Sequence, residues 1–322
     1  ILIKYLLDII QTIPDIFDEP FADSSQLPAI LISKTLKKNN ITVALTGDAG
    51  DELFGGYNRY FWLPNAKYIL TEKNFYPLVN LLKVVSNLKQ VNIDGLGSFI
   101  NLFLSRKYKL KNLGYKVEKI HSILKIEKNK DLYNQIISIL PENNRILNTS
   151  SHSKLIDKYI HLKKANLTFS EEMMLSDLKS YLVDDILVKV DRSTMSESIE
   201  SRIPFLAKEV FSYAWRIPEH MKLGNTQGKL ILRKIAEDYI PKALLEQPKM
   251  GFAIPLDKWL RGTLKKWAED ILDIKQNHPE WIFQPSVIKK LWDDHQSEKL
   301  NNAYKIWNVL ILKSWLKKNK IT

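Results

Sequence analysis

Residues 46–57 read Thr-Gly-Asp-Ala-Gly-Asp-Glu-Leu-Phe-Gly-Gly-Tyr, and an apolar run, Ile41-Thr-Val-Ala-Leu45, leads into them. Gly47, Gly50, Gly55 and Gly56 crowd this window in a chain with only 11 glycines. Asp48, Asp51 and Glu52 sit among them. The pattern predicts a buried strand that ends in an acid-bearing turn and opens a helix over 52–57. Glycine lets a backbone approach a ligand closely, and a helix start offers free N–H groups to an anion. Carboxylates beside an anion suit a divalent cation of the kind that nucleotide phosphates bring with them. The segment reads as a nucleotide site.

The rest of the chain is mostly helical in pattern. A helix is predicted over 1–13, broken by Pro14, then an acidic loop over 15–28 with Asp23, Ser24 and Ser25 as caps. A second helix follows over 28–39, with Pro28 in its first turn and Asn39-Asn40 at its end. The near-continuous apolar character of 41–46 predicts a parallel strand covered on both faces. Apolar residues recur at helical spacing in 66–88, 98–104, 131–140 and 171–182, and the run Ala303 to Trp315 predicts a long, mostly buried helix. Residues 141–153 read as a linker or surface loop. Few other strands are on offer, and a parallel strand needs neighbours.

Composition narrows the function. The 322 residues are 45% hydrophobic and 26% charged, as in ordinary globular proteins. No stretch reaches the ~18–20 uninterrupted apolar residues of a membrane span. Cysteine is absent, which removes disulfides, thiolate metal sites and cysteine nucleophiles and fits a cytoplasmic protein. The six histidines show no zinc spacing. The net charge of +12 invites a nucleic-acid reading, but the lysines are spread along the chain. The densest stretch, Arg106 to Lys130, interleaves them with apolar residues as a solvated helix face does. Nucleic acid is therefore disfavoured as a partner.

Several further segments join the elbow. Asp18-Glu-Pro-Phe-Ala-Asp-Ser-Ser25 precedes it, and Tyr181-Leu-Val-Asp-Asp-Ile-Leu-Val-Lys-Val-Asp-Arg192 and Ser198-Ile-Glu-Ser-Arg-Ile-Pro-Phe-Leu206 follow. Gly228-Lys-Leu-Ile-Leu-Arg-Lys234, Pro248-Lys-Met-Gly-Phe252 and Trp259-Leu-Arg-Gly262 complete the series. In order and spacing, from about residue 15 onward, the chain resembles the synthetase domain of glutamine-hydrolysing asparagine synthetases and their β-lactam-synthetase and amidating relatives. The resemblance implies an α/β, predominantly helical fold: a partial adenine-nucleotide α-hydrolase-like (ATP pyrophosphatase) domain with a remnant parallel sheet. Residues 1–62 would be the remnant of the nucleotide core, and 63–322 the helical part. The family's Ser-Gly-Gly-x-Asp-Ser loop and its cysteine-dependent glutaminase domain are expected to be missing, so that a sheet edge and an apolar face lie open.

The same resemblance implies an ATP-dependent ligase with magnesium. A carboxylate, aspartate by default, would be adenylated and then amidated, with ammonia supplied by a glutaminase domain or subunit. The alternatives are an inactive helical scaffold or a subunit completed in trans; homo-oligomers are compatible with either. Asp51 matches the magnesium ligand; from the residues alone an aspartate capping the 52–57 helix is the plainer reading, and the matched motif favours the metal. Asp48 matches an acid that assists aminolysis; typical members carry glutamate there, and a turn aspartate bonding its own backbone is the plainer account. Lys249 matches a lysine on the phosphates, and Thr46 and Gly47 match backbone laid against ATP. Lys229 and Arg233, four apart, would share a helix face that flanks anionic substrate or is simply solvated. Asp191 with Arg192, and Glu200 with Arg202, are expected to form buried structural ion pairs.

Overall fold

The computed structural model describes residues 2–71, 129–139, 146–147, 166–246, 254–272 and 282–320. Its elements run α1 (Leu2–Ile16), α2 (Gln26–Lys38), β1 (Val43–Leu45), α3 (Gly50–Phe54), α4 (Arg59–Thr71) and α5 (Asn129–Ile137). There follow α6 (Phe169–Lys179), a π-helix (Tyr181–Leu187), α7 (Val188–Met195), β2 (Glu200–Arg202) and α8 (Lys208–Arg216). The C-terminal third holds α9 (Glu219–Lys222), α10 (Leu230–Ala236), α11 (Lys242–Leu245), α12 (Leu256–Arg261), α13 (Lys265–Leu272), α14 (Pro285–Gln296) and α15 (Ala303–Lys318). Among the described residues the result is mainly helical with one small parallel sheet.

That sheet completes the elbow. β1 pairs with β2 in parallel, Val43 opposite Glu200 and Leu45 opposite Arg202, and the Thr46 N–H extends the ladder to the Arg202 carbonyl at 2.9 Å. The partner strand comes from a segment whose charges, Glu200 and Arg202, gave no strand signal. The expectation of a strand covered on both faces is not met: Leu45 is 74% exposed and Val43 42%. Ile41, and Leu31 and Ile32 of α2, are exposed as well. The anticipated open apolar face is thus present among the described residues.

Pro14 does not end α1, which runs on to Ile16. A proline in the last turn removes a single i→i−4 bond, and Ile9, Ile10 and Ile13 pin the helix to the core. α2 matches its expected span closely, with Asn39 as its C-cap and Asn40 in the left-handed region. The long C-terminal helix is present and buried along most of its length.

Three apolar clusters organise the rest. The largest joins α1 and α2 to α12 through α15 around Ile13, Ile30, Leu260, Trp307 and Leu310. A second lies under the elbow, where Ala49, Leu53 and Phe54 meet Leu178, Leu182 and Ile186. The third packs Tyr60 and Leu63 of α4 against Leu132, Tyr133, Met173 and Met174. α6 starts on a capping box: Thr168 Oγ1 accepts from the Glu171 N–H, and Glu171 accepts the Thr168 N–H in return. It runs into the π-helix after Ser180. Such wide turns are uncommon and cluster at functional sites.

Candidate nucleotide site

The strand β1 delivers the chain into a sharp turn. Ala49 takes φ 66°, a left-handed conformation unusual for a residue with a Cβ, and α3 begins at Gly50. Gly55, at φ 73°, ends that helix after five residues. The expected helix over 52–57 is therefore shorter and starts earlier. Glycine is required here on two counts: a Cβ on Gly55 would lie 2.2 Å from a Leu223 methyl, in a conformation that L-residues resist.

The segment Gly228-Lys229 packs directly on this elbow. A Cβ on Gly228 would come within 1.7 Å of the Gly55 carbonyl oxygen, and the Lys229 N–H donates to the Phe54 carbonyl at 3.0 Å. Across the gap left by Gly56, the Lys229 ammonium reaches Asp51 Oδ1 at 2.8 Å. Two residues assigned separately to a metal and to an anion meet in one place. The N-cap position of α3 is Ala49, with no side-chain cap bond, and Asp51 lies inside the helix rather than at its cap.

Lys229 and Arg233 do not share a helix face. Lys229 precedes α10 in the left-handed region, at φ 57°, and only its carbonyl joins the helix, accepting the Arg233 N–H. The Arg233 guanidinium donates from Nε to the Gly228 carbonyl at 3.1 Å and from Nη1 to the Leu245 carbonyl at 2.6 Å. It fastens the loop that carries Lys229. Leu245 ends α11, where a carbonyl has no intrahelical partner, so the guanidinium supplies one.

Thr46 and Gly47 lie at the strand's end. Gly47 is exposed, with open space where a side chain would be, and Thr46 Oγ1 is buried without a hydrogen-bond partner among the described residues. Asp48 is half-buried and forms no ion pair and no turn bond to its own backbone among the described residues. Lys249 lies outside the described residues, as does the densest lysine stretch over 106–128.

Two networks that spacing did not reveal brace the elbow. Glu52 is buried and accepts a hydrogen bond from the Tyr57 hydroxyl at 2.6 Å. Burial raises the Glu52 pKa, an effect the tyrosine bond only partly offsets. Arg59 stacks 4.0 Å over the Tyr57 ring and reaches Asp177 with Nε at 3.1 Å and Nη2 at 2.7 Å. Asp177, 1% exposed, also accepts from the Tyr60 hydroxyl at 2.5 Å and from the Tyr133 hydroxyl. Burial, reinforced by the Asp177 charge, drives both hydroxyl pKa values upward, so both stay protonated and donate.

The second network ties the acidic loop to the π-helix. Lys189 Nζ donates to Asp23 Oδ2 at 2.7 Å and to Ser25 Oγ at 2.8 Å, and lies 3.9 Å from Asp185. Burial, with the Asp23 charge beside it, pushes Asp185 up to about 7. Burial acts on Asp23 too, but Lys189 outweighs it and the Asp23 pKa falls. The Tyr181 ring packs 5.9 Å from the Tyr57 ring, so this cluster adjoins the first network. The two further ion pairs exist but are not buried: Arg192 bridges Asp18 and Asp191, and Arg202 meets Glu200, all on the surface.

The family model described as asparagine synthase matches residues 3–317. The chain belongs to the asparagine synthase family. Asparagine synthetase [glutamine-hydrolyzing] 1 of Bacillus subtilis is 30% identical over 300 residues, covering 93% of this chain and 44% of its own length. A putative asparagine synthetase [glutamine-hydrolyzing] of Mycobacterium bovis is 27% identical over 96% of this chain, again with 44% of its own length matched. The human asparagine synthetase [glutamine-hydrolyzing] is 32% identical over 139 residues. The chain thus spans less than half the length of the first two relatives. Among the described residues no helix is long and apolar enough to cross a membrane, and no three metal-ligating side chains cluster.

Proposed function

We propose that the chain is the synthetase part of an ATP-dependent, amide-forming ligase. A carboxylate, aspartate by default or another acid in a tailoring enzyme, is adenylated by ATP with release of pyrophosphate. Ammonia from a glutaminase domain or subunit then displaces AMP. The observation that carries this reading is the Asp51–Lys229 pair at 2.8 Å on the glycine elbow. It sets a hard oxygen donor and a mobile ammonium side by side where backbone can approach phosphates.

Asp51 suits magnesium. The ion accepts one or two carboxylates and completes its shell with phosphate oxygens and water. Asp51 as one carboxylate ligand fits that demand if nucleotide supplies the rest. When bound, the ion would neutralise charge building on the departing pyrophosphate. Thr46 and Gly47 would lay backbone along the nucleotide, and the open space at Gly47 supports this. Asp48, uncommitted to any ion pair among the described residues, would steer the incoming ammonia. Lys249 would meet the phosphates from the Pro248–Phe252 loop. Arg233 would act indirectly, by holding the Lys229 loop.

The exposed apolar strand supports a larger, ATP-pyrophosphatase-like parallel sheet. In that reading 1–62 belongs to the nucleotide core and 63–322 to the helical part, and a further chain segment, in cis or in trans, brings the Ser-Gly-Gly-x-Asp-Ser string this sequence lacks. The test is pyrophosphate release with magnesium-ATP, ammonia and a panel of carboxylates. The isolated chain is expected to show slow, carboxylate-dependent release that Asp51→Asn abolishes. A full enzyme-like rate from the isolated chain would contradict its incompleteness. Absence of nucleotide binding, with Asp51→Ala and Lys249→Ala tolerated, would favour a scaffold.

A further inference from the structure

We propose that Lys229 is a stand-in cation for Asp51: its ammonium holds the carboxylate until nucleotide phosphates draw it away and leave Asp51 to the divalent ion they carry. This deepens the nucleotide-site reading and rests on it.

The backbone around Lys229 is held by several contacts, while its side chain is partly exposed. Its N–H is tied to the Phe54 carbonyl, Gly228 lies hard against Gly55, and Arg233 grips the Gly228 carbonyl. The side chain itself is 31% exposed and, among the described residues, ends in one ion pair. Gly56 provides the passage. A Cβ there would lie 1.7 Å from Asp51 Oδ1 and 2.5 Å from Lys229 Cε, so the ammonium reaches the carboxylate only because residue 56 has no side chain.

Chemistry favours exchange over a permanent bridge. An ammonium on a flexible stem is a movable point charge with three donors. A divalent ion on the same carboxylate would face that ammonium at close range, and like charges so near repel strongly. Phosphate removes the conflict, because it accepts from the ammonium and ligates the metal at once. Every state keeps Asp51 paired with a positive charge. Free metal is therefore disfavoured, and metal and nucleotide bind with positive coupling.

The experiment titrates manganese, followed by water-proton relaxation, into the full 322-residue chain with and without a non-hydrolysable ATP analogue. Wild type is expected to bind manganese weakly alone and about tenfold or more tightly with the analogue, a coupling of ordinary size. Lys229→Met should tighten manganese binding without nucleotide and flatten the coupling, while Lys229→Arg retains it. Thermal melts establish that the variants fold. If Lys229→Met leaves both affinities unchanged while Asp51→Asn abolishes manganese binding, the stand-in role is wrong and the metal site survives. If Asp51→Asn binds manganese as wild type does under both conditions, the underlying site reading fails.

Discussion

Gly228 rests on Gly55 so closely that a methyl group at 228 would come within 1.7 Å of the Gly55 carbonyl oxygen. Two segments more than a hundred residues apart are thereby locked backbone to backbone at the mouth of the elbow. Gly228→Ala must move main chain, and overpacking of this kind costs about 1–3 kcal/mol or more. Denaturant melts should show a loss of at least that order. Gly56→Ala meets only the ends of Asp51 and Lys229, so it should cost less stability while displacing the ion pair.

Asp177 of α6 gathers Arg59 and Tyr60 of α4 and Tyr133 of α5 around one buried carboxylate. Removing a buried charge partner leaves the others stranded, at a cost of about 3–5 kcal/mol. Asp177→Ala should lose stability in that range. Tyr133→Phe removes one neutral donor and should cost roughly 1–2 kcal/mol. A double-mutant cycle between Tyr133→Phe and Arg59→Met should be clearly non-additive, because both act on the same acceptor. Additive losses would mean the hub is not one unit.

Asp185 titrates in a setting made by Asp23, Lys189 and the Tyr181 ring. Its folded pKa is raised from the ordinary carboxylate range to about 7, so the folded state binds the proton more tightly than the unfolded chain. Its contribution to stability is present at low pH and is lost as pH climbs through that window. Asp185→Asn keeps the neutral shape. It should raise the melting temperature at pH 8 and change it little at pH 4.5. An equal effect at both values would contradict the assignment.

His295 has the opposite sign. It is fully buried, its Nε2 has no hydrogen-bond partner among the described residues, and burial, with the Arg261 charge beside it, holds its pKa below 6.5. The unfolded chain takes up the proton first as pH falls, so stability declines below about pH 6.5. His295→Gln should flatten that decline in melts between pH 7 and pH 5. A slope unchanged by the substitution would assign the loss to other groups.

What the sequence revealed depended on how local the signal was. The elbow, α2 and the C-terminal helix are written in consecutive residues by glycine placement and apolar period; α2 and the C-terminal helix appear close to where expected, and the elbow's helix lies at Gly50–Phe54 instead of 52–57. The sheet partner was invisible because Glu200-Ser-Arg202 is a polar edge segment whose strand character comes only from pairing with β1. Lys229 seemed to belong to a helix face because Gly228-Lys229 runs without punctuation into Leu230; only the φ of 57° separates it. The Arg59–Asp177 contact bridges 118 positions, and nothing in either neighbourhood announces the other. Arg59-Tyr60, directly after the elbow, was the one available hint.

The central claim is that the elbow and the Lys249 loop close on one triphosphate. The chain has no native cysteine, which allows a clean distance measurement. Gly47→Cys and Lys249→Cys are introduced together and treated with bismaleimides of increasing length. The shortest linker should join them within one chain, and magnesium with an ATP analogue should slow the reaction. If each cysteine reacts singly yet no linker joins the pair, the two segments do not face one pocket and the account is contradicted.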